Sequence, residues 1–351
     1  MSNFQSIENY VDSNRELLGS SNECVGNTPL VRLNSVTKGL KATIAVKMEH
    51  LNPTASVKDR AGRSLIVTAE KEGKIQPGKT ILVESTSGNM GISLAFMARL
   101  MGYKIIIVMP TVCSLERKVM CKAFGAEIVM ADPALGAAGA RQLAKAIADA
   151  VPGGHFLDQF NNPANPLAHY KSTGPEIWNQ TKGEVDIVCF GIGSGGTVTG
   201  TGRFLKERKP SVKVYGCEPF ESSVLNGFPK GPHKIQGIGA GIVPEVLDRS
   251  IIDEILRVKS DDAIEMAKRL ALEEGIMGGI TSGANVCAAI ELAKRPENEG
   301  KLIVTTINSA GERYLSTVLY EDIKDEAEKI ELLSMEEAVA TIAKKYAATN
   351  N

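Results

Sequence analysis

Short aliphatic and β-branched runs alternate along this chain with longer stretches whose apolar positions recur at helical spacing. The runs suit strands covered on both faces and the stretches suit amphipathic helices, so their alternation predicts an α/β fold of parallel strands joined by helical crossovers. Strands are predicted over 44–49, 81–84, 104–109 and 126–130, and helices over 61–72, 91–101, 115–124 and 136–150. Pro152-Gly153-Gly154 interrupts the pattern and closes what reads as a compact first lobe. A second series has strands over 185–190, 213–217 and 302–307, with helices over 197–209, 261–274 and 284–293. Two facing α/β lobes put a ligand cleft between them, at the carboxyl ends of strands. Beyond 321 the chain turns charge-rich, and Ser334-Met335-Glu336-Glu337 has the spacing of a capping box. Met335, Ala338, Val339, Ile342 and Tyr346 then follow on one helical stripe, which fits a terminal helix docked on its own chain or a sister subunit, or a partner-binding helix.

Composition narrows the classes. The 351 residues are 43% hydrophobic and 23% charged, enough for the cores of two ordinary domains. Lys and Arg number 40 against 41 Asp and Glu, for a net charge of -1, so no basic field exists to hold a nucleic acid or an anionic membrane. No apolar run approaches the roughly 20 residues of a membrane helix. Residues 1–19 carry acids and one Arg without an apolar core, unlike a secretory signal or a transit peptide, and a cytoplasmic location is expected. Cys24, Cys113, Cys121, Cys189, Cys217 and Cys287 include no C-x-x-C pair and read as reduced thiols, mostly in the core. His50, His155, His169 and His233 are isolated and read as structural, so the sequence supports no metal chemistry.

Three segments carry candidate chemistry. Gly191-Ile192-Gly193-Ser194-Gly195-Gly196 lies between a strand and a helix that Thr197 can cap, where glycines allow close approach and free backbone N–H groups suit a phosphate. The spacing also matches G-x-G-x-x-G, which reads as a dinucleotide site if Glu218 holds a ribose, or simply as a tight turn. In Asn52-Pro53-Thr54-Ala55-Ser56-Val57-Lys58-Asp59-Arg60, a lysine opens a helix, where the dipole disfavours a cation. Such an amine becomes useful when its surroundings suppress protonation or when it is held as an imine. Glu84-Ser85-Thr86-Ser87-Gly88-Asn89-Met90-Gly91 is a polar strand-to-helix loop suited to a carboxylate. Together the three fit a ligand with a phosphate at one end, a carboxylate elsewhere and an aldehyde at Lys58.

With Gly26-Asn27-Thr28-Pro29-Leu30, Ser56-Val57-Lys58-Asp59-Arg60 and Ser309-Ala310-Gly311-Glu312-Arg313-Tyr314-Leu315 in order, the chain resembles the cysteine synthase and β-cyanoalanine synthase family over most of its length. These are pyridoxal-phosphate-dependent β-substituting enzymes of fold type II, similar to the tryptophan synthase β chain. The resemblance implies two three-layer αβα lobes with parallel-rich sheets and the active site between them. It implies a larger cofactor-anchoring domain of 1–50 plus 161–325, a smaller mobile substrate domain of 51–160 and a helical tail of 326–351. It further implies that Lys58 forms the Schiff base, that Gly193, Ser194, Gly195, Gly196 and Thr197 form the phosphate cup, that Asn89 bonds the ring hydroxyl and that Ser309 meets the pyridine nitrogen. Thr86, Ser87, Gly88, Asn89 and Gln159, with Met90 beside them, are the implied substrate contacts.

The implied reaction is β-replacement on cysteine or O-acetylserine through an aminoacrylate. A neutral hydroxyl at the ring nitrogen makes a weaker electron sink than an acid would, which favours loss of the β-substituent. Met90 and Ser194 resemble β-cyanoalanine synthases more than the commonest cysteine synthases, whereas Phe190 stands where the former carry Met. A thioether in place of a hydroxyl gives a softer wall. The expected activity is therefore L-3-cyanoalanine synthase, converting cysteine and cyanide to β-cyanoalanine and hydrogen sulfide, with cysteine synthase (O-acetylserine sulfhydrylase) activity retained. Mainly cysteine synthesis, a cystathionine β-synthase-like reaction, or a regulatory protein binding a partner's C-terminal peptide in its cleft are the alternatives. The family also implies a homodimer.

Overall fold

The computed structural model describes residues 17–347 apart from 87, 111, 112, 133 and 135. In chain order the regular elements begin with β1 (Leu30–Arg32), β2 (Thr43–Lys47), α1 (Lys58–Lys71), β3 (Ile81–Ser85), α2 (Asn89–Leu100), β4 (Lys104–Pro110) and α3 (Leu115–Ala123). They continue with β5 (Glu127–Ala131), α4 (Gly136–Ala150), β6 (Gly154–Phe156), α5 (Ala164–Lys171), α6 (Thr173–Gln180), β7 (Ile187–Gly191) and α7 (Gly196–Arg208). The remainder are β8 (Lys213–Pro219), β9 (Glu254–Val258), α8 (Ser260–Glu274), α9 (Ile280–Ala293), β10 (Leu302–Thr306), α10 (Glu321–Glu328) and α11 (Met335–Ala347).

The strands form two sheets. One has six strands in the order β1-β2-β10-β7-β8-β9, parallel except for β1, and the other has four parallel strands in the order β5-β4-β3-β6. Each sheet carries its own cores. Ile44, Ile187, Leu256 and Ile303 belong to one core and Val188, Val214 and Val304 to another, on the six-stranded sheet. Leu82, Ile105 and Ile107 belong to one core of the four-stranded sheet, and Val83, Val108 and Ala144 to a second. Successive strand residues entering different cores is what helices on both faces of a parallel sheet require. The α/β expectation with two layered lobes therefore describes the chain.

Three features of the predicted pattern need correction. Read along the chain alone, the strand at 44–49 opens the first lobe, but β2 pairs with β10, Ala45 opposite Val304, and belongs to the six-stranded sheet. Periodicity identifies a strand without saying which strand lies beside it, and a crossover carried β2 away from its sequence neighbours. The stretch broken by Pro152-Gly153-Gly154 still yields β6, paired with β3 at Ile81 and Gly154. The short elements β1 and β9 and the helices α5 and α6 were not anticipated, and the helices lie among Pro163, Pro166, Gly174 and Pro175, which mask helical periodicity. None of the helices described is long and apolar enough to cross a membrane.

Candidate active site

The carboxyl ends of β3, β7 and β10 lead respectively into the loop before α2, the glycine cluster before α7 and the segment holding Ser309. A cavity of about 630 Å³ opens between them, walled by Lys58, Thr86, Gly88, Asn89, Met90, Gln159, Gly193 and Ser194. A larger cavity of about 830 Å³ adjoins it across Arg117, His233, Gly237, Ile238 and Ala240 but holds none of the residues nominated from sequence. The smaller is therefore the site, within the size range of small-molecule pockets.

Lys58 is the first residue of α1 and is half-buried at the cavity floor. Loss of surrounding water lowers its pKa to about 8, and no carboxylate among the described residues pairs with it. The loop that delivers it holds Ala55 at φ 55, a left-handed conformation uncommon for a residue with a Cβ. Gln159 follows another such residue, Asp158 at φ 56, whose carboxylate is gripped by Arg141. Backbone strain thus accompanies both segments.

The glycine cluster forms a cradle. Gly195 takes φ 84 and caps α7 in the left-handed region. A Cβ on Gly193 would lie 2.4 Å from the Gly237 carbonyl, and one on Gly196 would lie 2.0 Å from Asn165 Oδ1. No acceptor among the described residues takes the backbone N–H groups of Gly193, Ser194, Gly195, Gly196 or Thr197. These donors and the helix N-terminus form an anion site. Asn165 on α5 braces the cradle by donating 2.9 Å to Ser194 Oγ and 2.8 Å to the Gln159 carbonyl. His169, fully buried with its pKa pushed down to about 3 mainly by burial, lies behind it with Nε2 3.3 Å from Thr197 Oγ1.

Across the cavity, Thr86 Oγ1 accepts the Gly88 N–H at 3.2 Å, which leaves its own proton for the cleft. Gln159 Nε2 donates one hydrogen to the Ser85 carbonyl at 3.2 Å. Asn89 opens α2, and its Oδ1 accepts from Arg313 Nη1 at 2.7 Å. Met90 is fully buried on the wall. Ser87 lies outside the described residues. Ser309 bridges to Ser56, and its hydroxyl is 3.1 Å from Tyr314 Oη. Ser309, Gly195, Gly196 and Thr197 are not among the residues lining this cavity, although they adjoin Ser56, Gly193 and Ser194, which deliver its floor and cradle. Glu218 is fully buried and takes N–H groups from Leu225 and Asn226, so it is not available for a ribose.

Sequence reasoning missed Asn165, Arg313, Arg117 and His233. Asn165 and Arg313 act through contacts distant in sequence. The glycine-rich run at 237–241 was the one local signal that its neighbourhood, including His233, could wrap a ligand.

Residues 22–309 match the model of the family described as pyridoxal-phosphate dependent enzyme, and the chain belongs to that family. Within it the chain groups with the cysteine synthases. It is 60% identical over 333 residues to cysteine synthase 3 of Caenorhabditis elegans, covering 95% of this chain and 98% of that one. To cysteine synthase of Staphylococcus aureus it is 46% identical over 300 residues, covering 85% and 96%. A crystal structure of cysteine synthase from Entamoeba histolytica superposes with a TM-score of 0.84 at 42% identity, covering 93% and 95%. The cofactor is pyridoxal 5'-phosphate, and the residues present fit it. A fan of unclaimed N–H groups awaits a phosphate, and an unpaired amine of lowered pKa faces the same cavity.

Proposed function

We propose that this protein catalyses β-replacement on O-acetylserine, joining sulfide to the amino-acid skeleton to give cysteine and acetate. The observation that carries the reading is the unpaired Lys58 amine, with its pKa lowered to about 8, in one cavity with the phosphate cradle and the Thr86 to Met90 loop. When bound, pyridoxal phosphate supplies the carbonyl that captures amines and the electron sink that labilises the α-proton and the β-substituent.

The chain's own residues divide the remaining work. Gly193, Ser194, Gly195, Gly196 and Thr197 would hold the phosphate through backbone N–H groups. Lys58 would hold the aldehyde carbon, and its Nζ, released by the incoming amine, would take the substrate's α-proton. An amine of pKa about 8 is neutral often enough near pH 7 to do so. Asn89 would donate to the ring oxygen, and Ser309 would face the ring nitrogen. Thr86, Ser87, Gly88 and Gln159 would fix the α-carboxylate, orienting the bond to be broken.

Met90 favours a second reading of the same chemistry, with cysteine as donor and cyanide as acceptor. It is fully buried on the cavity wall, where its thioether offers a soft surface to sulfur rather than a hydrogen bond. In this reading L-3-cyanoalanine synthase activity accompanies cysteine synthesis. The family's homodimer is carried to this chain as part of the proposal.

The test measures cysteine formed from O-acetylserine and sulfide beside sulfide released from cysteine with and without cyanide. Met90→Thr should shift the ratio toward cysteine synthesis by about tenfold, the order that loss or gain of one hydrogen bond sets. No cyanide-dependent sulfide release would end the second reading. A protein that neither binds pyridoxal phosphate nor is labelled at Lys58 by borohydride would end the first.

A further inference from the structure

We propose that Arg313 is a positioning residue that fixes the Asn89 amide so that only its N–H groups face the cleft, making the place opposite Asn89 selective for an oxyanion. This rests on the reading that the cofactor's ring oxygen lies there.

The argument is one of donor and acceptor inventory. Arg313 Nη1 lies 2.7 Å from Asn89 Oδ1. A guanidinium carries five donors and no acceptor, so the amide must meet it with oxygen and turn its NH2 the other way. Nothing among the described residues takes the Nδ2 hydrogens, and Asn89 lines the cavity. Arg313 is 3% exposed, and its Nη2 has no hydrogen-bond partner among the described residues. An inverted amide would set NH2 against a buried guanidinium that already has one orphaned nitrogen, so inversion is strongly opposed.

Arg313 is itself held in place. It sits in the short helical turn Gly311–Tyr314, two residues before the start of the exposed segment at Leu315 and four after Ser309. Asp59, fully buried and held by the N–H and hydroxyl of Thr54, acts on it electrostatically. Asp59 adjoins Lys58 in sequence, so the guanidinium feels the charge of the segment carrying the amine while it bonds the residue facing the ring oxygen. A donor-only Asn89 stabilises that oxygen in its deprotonated, accepting form, which favours the longer-wavelength absorption of the bound cofactor.

The experiment compares the wild-type holoenzyme with Arg313→Met, Arg313→Lys, Asn89→Ala and the double variant Asn89→Ala/Arg313→Met. Absorption spectra and pyridoxal phosphate dissociation constants are measured, with circular dichroism as the check on folding. Arg313→Met should lower the ratio of the long- to the short-wavelength band and weaken cofactor binding about tenfold, the factor one charge-assisted hydrogen bond supplies. Arg313→Lys, which keeps a donor on Oδ1, should return toward wild type. In the Asn89→Ala background, removing Arg313 should add no further change. A wild-type spectrum in Arg313→Met, or additive shifts in the double variant, would overturn the proposal. If Arg313→Met does not fold, Asn89→Asp decides, because a carboxylate pairs with Arg313 and turns an acceptor to the cleft. A retained long-wavelength band there would also overturn it. Wild-type protein with no cofactor band and no borohydride adduct at Lys58 defeats the underlying reading, an outcome distinct from a normal wild type with an unresponsive Arg313→Met.

Discussion

Two glutamates buried to the same degree behave in opposite ways. Glu49, at the end of β2, takes Arg60 Nε at 2.7 Å, Arg60 Nη2 at 2.8 Å and the Thr28 hydroxyl at 2.7 Å. Its pKa stands at about 2: burial opposes ionisation, and Arg60 more than compensates. Glu84, at the end of β3, takes backbone N–H groups from Ser85 at 3.0 Å and Gln159 at 3.3 Å and no cation among the described residues. Burial, reinforced by Asp158, pushes it up to about 8. Two lysines differ in partners rather than in direction, since burial lowers the pKa of both. Lys47 is fully buried with its Nζ 2.7 Å from Glu176, whereas Lys58 faces the cavity without a counter-charge. Around Arg60 the framework sets buried charges against one another, whereas Lys58 on the cavity wall and Glu84 beside it have no oppositely charged hydrogen-bond partner among the described residues. Groups of the second kind titrate near neutrality, which is what proton-transfer chemistry needs.

The largest effect should come from Lys58. Lys58→Ala should lower turnover by about 10³-fold or more, the scale of a lost general base that also anchors a cofactor. Lys47→Met should leave turnover per folded molecule near wild type, because its partners are structural. Steady-state cysteine formation checks both, and comparable losses from the two substitutions would erase the distinction.

Next in size is the framework itself. Arg60 bonds Glu49 and also Glu176 at 2.6 Å, so Arg60→Met strands the fully buried Glu49, leaves Glu176 with Lys47 alone, and should cost about 3–5 kcal/mol in urea unfolding, as broken buried pairs do. Glu49 has a folded-state pKa below its ordinary value, so its contribution is complete above pH 4.5 and is lost as pH falls toward about 2. The deficit of Arg60→Met relative to wild type should therefore shrink across that acid window. A deficit independent of pH would mean that packing, not charge, binds this region.

Much of this contrast was invisible in the sequence. The alternation of strands and helices was legible because long periodic segments declare themselves, as α4 does over the predicted 136–150. The cleft was legible too, since a glycine cluster, a helix-opening lysine and a polar loop each carry a local signature. Partnership was not legible. Glu49 lies two residues past β2 and Glu84 is the penultimate residue of β3, and nothing nearby in sequence says that Arg60 bonds one while no cation among the described residues bonds the other. For the same reason Arg313, 224 residues from Asn89, escaped notice, as did Asn165 beneath the cradle. The placement of β2 escaped the periodicity alone, because strand order depends on crossovers rather than on the strand's own residues; only the family resemblance grouped 1–50 with the later strands.

Glu84 sharpens the comparison through a slope rather than a loss. Its folded pKa is raised from 4.5 to about 8, so its stabilising effect is complete below 4.5 and declines as pH rises through about 8. Glu84→Gln forfeits an acceptor for one of two backbone N–H groups, a cost of about 1–3 kcal/mol at low pH. The gap between the variant and wild type should then narrow with rising pH, by at most about 1.4 kcal/mol per unit, and reverse sign before about pH 8. Urea unfolding at several pH values measures it. A constant gap would place Glu84 with Glu49, as an acid whose charge is compensated.

The smallest effect concerns how fast the empty site captures its cofactor. Only a neutral amine adds to an aldehyde, so the rate follows the unprotonated fraction of Lys58. With a pKa of about 8 that fraction is about one-tenth at pH 7 and nine-tenths at pH 9, so capture should rise about tenfold and then level off. An ordinary lysine would instead climb about a hundredfold over the same span with no plateau, because its pKa lies near 10.4. Stopped-flow absorbance after mixing apoprotein with pyridoxal phosphate, with borohydride trapping to place the adduct on Lys58, separates the two curves. The plateau is the diagnostic feature: burial alone has depressed this amine, whereas a carboxylate close enough to pair with it would restore the steeper climb. A profile without levelling would make Lys58 another framework lysine like Lys47, and would remove the physical basis for treating the cleft as chemically different from the core behind it.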